Sequence, residues 1–338
     1  MKREAYLYTV IQGTTVRCNT CQRRCVIPDG GKGWCGTRVN EGGRLVSLIY
    51  GEVSSISINP IEKKPVFHYF PGSRWLSLGS VGCNFRCPGC QNWEIAHWKE
   101  GPMATEFLPP EDAVSRAKKS ACFGISWTFN EPALWFEYTL DSARIAKEQG
   151  LFTNYVTNGY ITEEAFDMLA PYLDVYRVDI KGFSDRTYSR VGHIVKFTAI
   201  LATTEKAKKQ GIHVEVVTNV IPGYNDDEHE LRDMAVWIKA SLGPGTPWHV
   251  TRFHPHHELA YVPATPIATL ERARNLGKEA GLWYVYLGNV PGHRWENTWC
   301  HECGELLIER NIFDVLQNKI RNGRCPACGT VIPGRFAT

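Results

Sequence analysis

The 338-residue sequence contains no run approaching the roughly 18 consecutive apolar residues of a membrane-spanning helix. Its start, MKREAYLYTVIQGTTVRC, lacks the apolar core of a signal peptide. An excess of either charge is missing too. The 38 basic and 35 acidic residues leave +3, spread too evenly to argue for nucleic acid or an anionic membrane as the partner. At 43% hydrophobic and 22% charged residues the chain is not disordered, and its length suits about two domains. The expectation is a cytoplasmic protein with no membrane span.

Cysteine is what the chain has in abundance, and its twelve cysteines fall in groups. Cys18, Cys21, Cys25 and Cys35 lie near the N-terminus, and Cys83, Cys87 and Cys90 form a tight triplet. Cys122 stands alone, and Cys300, Cys303, Cys325 and Cys328 close the chain. Clustered cysteines without a secretory signal, in a chain large enough to bury a core unaided, point to metal ligation rather than disulfides. Cys122 reads as a small buried hydrophobe.

The groups also mark out an organisation. Residues 1–72 are rich in glycine and short β-like runs, end at Phe70-Pro-Gly72, and read as a β-rich four-cysteine metal module. From Trp75, short apolar runs alternate with helical stretches, the pattern of a parallel sheet with crossover helices. Strands are expected at 75–81, 123–129, 151–157, 174–180, 212–220 and 248–254, with a weaker one at 283–287. Helices are expected at 110–120, 133–149, 162–170, 197–210, 226–241 and 266–280, with Gly150, Gly211 and Gly281 as C-caps. This α/β pattern suits either a partial (βα)6 TIM-like barrel or a doubly wound sheet. Polar residues share one strand face at Arg177, Asp179 and Lys181, at Ser126, Thr128 and Asn130, and at His213, Glu215 and Asn219. Three such strands favour a barrel with a polar lumen over edge strands. The expected domains are therefore 1–72, a partial barrel at 73–292 and a C-terminal module at 293–338.

Cys83-Asn-Phe-Arg-Cys87-Pro-Gly-Cys90 follows the first expected barrel strand, where α/β folds place active sites. Three thiolates at this spacing can hold three irons of a [4Fe–4S] cube and leave the fourth iron open. A zinc site completed by His97 is the structural alternative. The closing Cys300-His-Glu-Cys303-Gly and Cys325-Pro-Ala-Cys328-Gly pairs have the spacing of a zinc ribbon, with a rubredoxin-like iron site as the alternative. The spacing of the N-terminal four is less diagnostic; zinc is the first expectation and a second [4Fe–4S] cluster the other.

The triplet resembles the defining motif of the radical S-adenosylmethionine (SAM) enzymes, with Gly89 where most members have an aromatic residue. Phe129-Asn-Glu-Pro132, Thr157-Asn-Gly159, Asp179-Ile-Lys181 and Val220-Ile-Pro-Gly223 are similar to successive landmarks of pyruvate formate-lyase activating enzymes. With Phe253-His-Pro255, Gly288-Asn-Val-Pro-Gly292 and both flanking cysteine groups, the chain resembles the AmmeMemoRadiSam system radical SAM enzymes. The resemblance implies a cluster on Cys83, Cys87 and Cys90 that reductively cleaves SAM to a 5′-deoxyadenosyl radical, which abstracts hydrogen from a substrate. It implies SAM contacts from Asn130, Glu131, Thr157, Asn158, Asp179, Lys181, Asn219 and His254, with His257 an alternative to His254; a solvent-facing loop histidine is the plainer reading of each of the three, His256 above all. It also implies a one-electron donor such as ferredoxin or flavodoxin. The substrate is left open among a small molecule, a protein glycine (a glycyl-radical-enzyme activase), a lipid and RNA. A non-catalytic nucleic-acid-binding protein carrying zinc or iron is the competing class, suggested by Lys206-Ala-Lys-Lys209, Lys319-Ile-Arg-Asn-Gly-Arg324 and eleven tryptophans.

Overall fold

The computed structural model describes residues 1–98, 101 and 104–336. An eight-stranded, mostly parallel sheet is formed by β1 (Ser55–Pro60), β2 (Arg74–Gly79), β3 (Gly124–Trp127), β4 (Phe152–Thr157), β5 (Val175–Asp179), β6 (His213–Val220), β7 (Trp248–Arg252) and β8 (Val285–Gly288). Strand neighbours follow chain order without reversal from β1 to β8. A doubly wound sheet reverses its order at a switch point, so this unbroken order is that of a barrel-type α/β fold. All seven expected strands are present, and β1 is an addition. Its sequence, Ser-Ile-Ser-Ile-Asn-Pro, ends in a residue that cannot donate to a ladder, and it lies on the sheet edge where such a residue is tolerated.

The expected helices appear with small shifts of their ends. Glu163–Leu169 starts where the Thr162 hydroxyl accepts from Ala165 N–H at 3.2 Å, and Glu228–Trp237 is capped by Asp227, which accepts from Glu230 N–H at 3.0 Å. Two helices unforeseen from periodicity, Trp93–Ala96 and Asp185–Val191, are only four and seven residues long. A pattern that short carries no clear helical period. Among the described residues, no helix is long and apolar enough to cross a membrane.

The chain divides into two compact units. The first comprises residues 1–59, 74–176 and 198–212. In it β2, β3 and β4 pair in parallel, with Ser126 opposite both Ser77 and Asn154. All three are fully buried, and Asn154 Nδ2 donates to Ser126 Oγ at 2.9 Å, so the polar face expected of β3 starts, at Ser126, in a buried row shared with β2 and β4. Trp75, Leu76, Leu78, Ile125, Trp127 and Tyr155 supply the apolar burial on the same strands. The N-terminal segment adds two small antiparallel sheets around Ala5, Val16, Cys18, Ile27 and Leu45. One of its hairpins turns through Gly42 and Gly43, both at positive φ, as a tight two-residue turn requires. The segment is fastened by a buried bidentate pair: the Arg38 guanidinium donates to both Glu137 oxygens at 2.9 Å, with both side chains 1% exposed.

The second unit comprises residues 60–73, 177–197 and 213–338. It pairs β6, β7 and β8 in parallel and adds the antiparallel strands Thr298–Trp299, Leu306–Asn311 and Asp314–Asn318. Glu215 on β6 is its polar centre. The fully buried carboxylate accepts from the backbone N–H of Phe67 and of His68, and is bonded by His213 Nε2 at 2.9 Å and His249 Nε2 at 2.6 Å. Burial pushes this carboxyl up, but the two histidines and their hydrogen bonds outweigh it and hold it well below the usual range. Arg310 donates to the Phe67 carbonyl at 3.0 Å and to Thr298 Oγ1 at 2.8 Å, tying the C-terminal strands to the same segment.

Because Glu215 titrates lower in the folded unit than the ordinary value of 4.5, it contributes stability that is present above pH 4.5 and is lost as pH falls through its folded value. Glu215→Gln is expected to cost about 3 to 5 kcal/mol at neutral pH. It is also expected to flatten the acid limb of a denaturation curve; an unchanged limb would remove Glu215 from this role.

Candidate metal centre and its surroundings

The Cys83, Cys87 and Cys90 loop follows β2 and is shaped by its own backbone. Gly82 has φ +86°, and a Cβ there would lie 2.5 Å from Thr37 Cγ2 and 3.2 Å from the Cys35 carbonyl oxygen, so only glycine fits before the first cysteine. Cys83 Sγ accepts from Phe85 N–H at 3.3 Å, and Cys90 N–H donates to the Cys87 carbonyl at 3.2 Å. Arg86, between the first two cysteines, donates to the carbonyls of Cys83 at 2.9 Å, Phe85 at 3.1 Å and Trp34 at 3.3 Å, fixing the loop from within. Phe85 is buried edge-on against Tyr160.

Glu131, just after β3, organises what surrounds Cys83. Its buried carboxylate accepts from Ala133 N–H at 3.0 Å, Thr157 Oγ1 at 2.7 Å and Asn158 N–H at 2.8 Å. Asn158 Nδ2 then donates to Asn84 Oδ1 at 2.7 Å and lies 3.8 Å from Cys83 Sγ. Asn130 joins the loop from the other side: its Oδ1 accepts from Ser80 N–H and its Nδ2 donates to the Gly82 carbonyl, both at 3.0 Å. Phe129, the residue before Asn130, has φ +72°, a strained conformation for an aromatic residue of the kind that clusters at functional sites. Thus Asn130, Glu131, Thr157 and Asn158 are brought together around Cys83, with their side chains bonded to the protein itself.

Burial, then the Glu131 carboxylate and Cys87, push the Cys83 thiol well above its ordinary value. A bare thiolate is unfavourable there. Cationic iron reverses that balance, so the donor set suits an iron–sulfur cluster.

The remaining candidates lie in the second unit. Asp179, at the end of β5, accepts from Arg177 at 2.7 Å and lies 3.3 Å from Lys181 Nζ. Burial raises its carboxyl, but the two cations outweigh this and hold it below its ordinary value. Asn219, near the end of β6, has a buried Oδ1 with no hydrogen-bond partner. Asn225 donates through Nδ2 to the carbonyls of Lys181 at 2.7 Å and Asn219 at 2.9 Å, aligning the backbone of both. After β7, His254 is partly buried, His256 is exposed, and His257 lies 3.5 Å from Glu258 at φ +49°.

The closing cysteines converge. Sγ atoms of Cys300 and Cys328 are 3.6 Å apart, those of Cys303 and Cys325 are 3.7 Å apart, and all four lie within 4.8 Å of one another. A tetrahedron with metal–sulfur bonds of about 2.3 Å has edges of about 3.8 Å. Gly304 and Gly329 take positive φ and donate back to the carbonyls of Cys300 and Cys325, closing the two knuckles. This group can hold a metal. Cys122 is buried, as expected of a small core residue. The N-terminal four line a common cavity.

Asn84, Arg86 and Asn225 were not singled out from the sequence. Spacing rules count sulfurs and ignore the residues between them, and a lone asparagine in a turn has many commoner uses. Stripping metal from the C-terminal group with a strong chelator is expected to abolish amide-exchange protection in Leu306–Asn311 while β2 to β4 keep theirs. Retained protection there would show that the strands hold without metal.

Comparison with known proteins agrees with this geometry. The radical SAM superfamily model matches residues 78–235. An uncharacterized protein of Methanocaldococcus jannaschii is 44% identical over 332 residues, covering 98% of both chains. Pyruvate formate-lyase 1-activating enzyme of Escherichia coli strain K12 is 26% identical over 230 residues, 62% of this chain and 91% of its own. Among solved structures, a radical SAM methyltransferase from Sphaerobacter thermophilus superposes with a TM-score of 0.52 at 16% identity, over 65% of this chain and 67% of its own, a likeness of fold. The chain belongs to the radical SAM superfamily and is an enzyme similar to the pyruvate formate-lyase activating enzymes.

Proposed function

We propose that Cys83, Cys87 and Cys90 hold the [4Fe–4S] cluster of this radical SAM enzyme and leave its fourth iron open to SAM. When bound, the cluster supplies the one-electron reduction that splits SAM to methionine and a 5′-deoxyadenosyl radical, which takes hydrogen from the substrate. The observation that carries this assignment is the lattice running from the Glu131 carboxylate through Asn158 and Asn84 to the Cys83 loop. Three thiols gain from such rigid support only if they must present a fixed geometry.

The chain's own residues then divide the work. Glu131, Thr157, Asn158 and Asn130 act as positioning residues, holding the loop and the backbone beside SAM. Asn219 Oδ1, an acceptor without a protein partner, suits a SAM hydroxyl or ammonium. Lys181 suits the SAM carboxylate and Asp179 a hydroxyl or ammonium. His254 approaches SAM from the loop after β7. Residues 73–292 form the catalytic domain, with 1–72 and 293–338 as metal modules and zinc in the second. The enzyme works in the cytoplasm with a one-electron donor of the ferredoxin or flavodoxin class.

A second reading concerns the substrate. The similarity to pyruvate formate-lyase 1-activating enzyme supports a glycine Cα–H of a partner protein as one candidate hydrogen donor, on a par with a small molecule, lipid or RNA.

Anaerobic, dithionite-reduced protein is expected to convert SAM to 5′-deoxyadenosine without substrate, and Cys87→Ala to lose at least about 100-fold in rate while keeping its zinc. Wild-type protein that binds no iron after reconstitution would exclude the assignment. Asn219→Ala is expected to raise the apparent SAM dissociation constant about 10-fold, the worth of one hydrogen bond, with the cluster's absorption unchanged. Unaltered SAM affinity would remove Asn219 from the site. Asn158→Ala is expected to lower iron retention per chain at unchanged zinc content, which a SAM-contact role alone would not do.

A further inference from the structure

The four N-terminal cysteines take no part in the chemistry above, yet the chain builds a closed site from them. Cys18, Cys21 and Cys35 are buried, and Cys25 is partly so. Together they line a cavity of about 10 Å³, the room of one water molecule. This differs in kind from the C-terminal group, whose sulfurs close to 3.6 and 3.7 Å. Among the described residues, the C-terminal four are the one cysteine group whose sulfurs all lie within 4.8 Å of one another, so the N-terminal sulfurs stand wider than a tetrahedral zinc site holds them, as thiolates around a four-iron cube do.

The wall of the cavity supplies a second observation. Thr20 Oγ1 and Arg38 Nε, on two lining residues, are buried donors with no hydrogen-bond partner. Native proteins rarely leave such groups unsatisfied. Two of the sulfurs already accept hydrogen bonds, Cys25 from Trp34 N–H at 3.5 Å and Cys35 from Thr37 Oγ1 at 3.2 Å. A zinc ion adds no acceptor beyond its thiolates, while the inorganic sulfides of a cube are further acceptors, and such bonds tune its potential.

We propose that Cys18, Cys21, Cys25 and Cys35 hold a second [4Fe–4S] cluster, with Thr20 and Arg38 donating to it. Its place is next to the first cysteine loop. Asn84, which follows Cys83, also lines this cavity, and its carbonyl accepts from Arg23, another lining residue. The site does not depend on the assignment of Cys83, Cys87 and Cys90.

The test is metal analysis of anaerobically reconstituted full-length protein carrying Cys83→Ala, Cys87→Ala and Cys90→Ala. It is expected to retain about four iron and four sulfide per chain beside about one zinc. Adding Cys21→Ser and Cys35→Ser is expected to remove that iron and spare the zinc. About two zinc and no iron in the triple variant would overturn the proposal. Should the triple variant fail to fold, the wild type decides: about eight iron and one zinc supports the second cluster, and about four iron and two zinc overturns it. Equal iron of about four in wild type and triple variant would instead mean that the first loop, not the N-terminal site, had been misassigned.

Discussion

The first unit depends on one buried carboxylate. Glu131 receives three hydrogen bonds, from the start of its own turn, from the hydroxyl at the end of β4 and from the amide after it. A carboxyl group so far from water is tolerable only when its oxygens are bonded, so the ends of β3 and β4 are held at a set spacing. Asn158 inherits its orientation from that bond and passes it to Asn84 and the cysteine loop. A loop of three cysteines is otherwise free to fold its sulfurs in many ways. Here its shape is imposed from beneath by Glu131 and from within by Arg86.

The second unit uses the same physics at Glu215, where two histidines and two backbone amides surround a buried carboxylate. The polar strand faces serve different ends along their length. Toward the middle, Ser77, Ser126, Asn154, Glu215 and His249 bond with neighbouring protein groups or lie in the packed interior. Toward the strand ends, Asp179, Lys181 and Asn219 retain exposure or an unfilled acceptor. A polar face therefore reports both structural satisfaction and ligand capacity, and only position along the strand separates them.

The two four-cysteine modules show how equal ligand counts can part company. In the C-terminal module each pair lies in a knuckle whose glycine at positive φ folds the backbone back, bringing the sulfurs together. In the N-terminal module the sulfurs come from a strand end, a bridge, the residue before a short strand and a turn, and apolar and basic side chains line the cavity they share. The same residue type in the same number thus takes two different arrangements.

Much of this was legible in the chain itself. Alternation of apolar runs and helical stretches, glycines at helix ends and the Cys-x-x-x-Cys-x-x-Cys spacing depend on local geometry, which residues a few positions apart determine. They were enough for the strand series and, with the polar strand faces, for the barrel-type class, and they singled out the cysteine triplet. The edge strand β1 was hidden although its partner β2 is the next strand along the chain, because a six-residue run of serine, isoleucine, asparagine and proline is too short and mixed to stand out from loop sequence. Asn84, Asn225 and Arg38 were hidden, and Glu215 was legible only as a member of a polar strand face and not as the centre of a network. A buried polar side chain is defined by donors and acceptors tens to hundreds of residues away, as in the 99 positions separating Arg38 from Glu137. The sequence by itself determined which sulfurs were available and the order of the elements that carry them. Only the tertiary structure decided how far apart those sulfurs stand and which buried donors face them, because these follow from packing between distant segments.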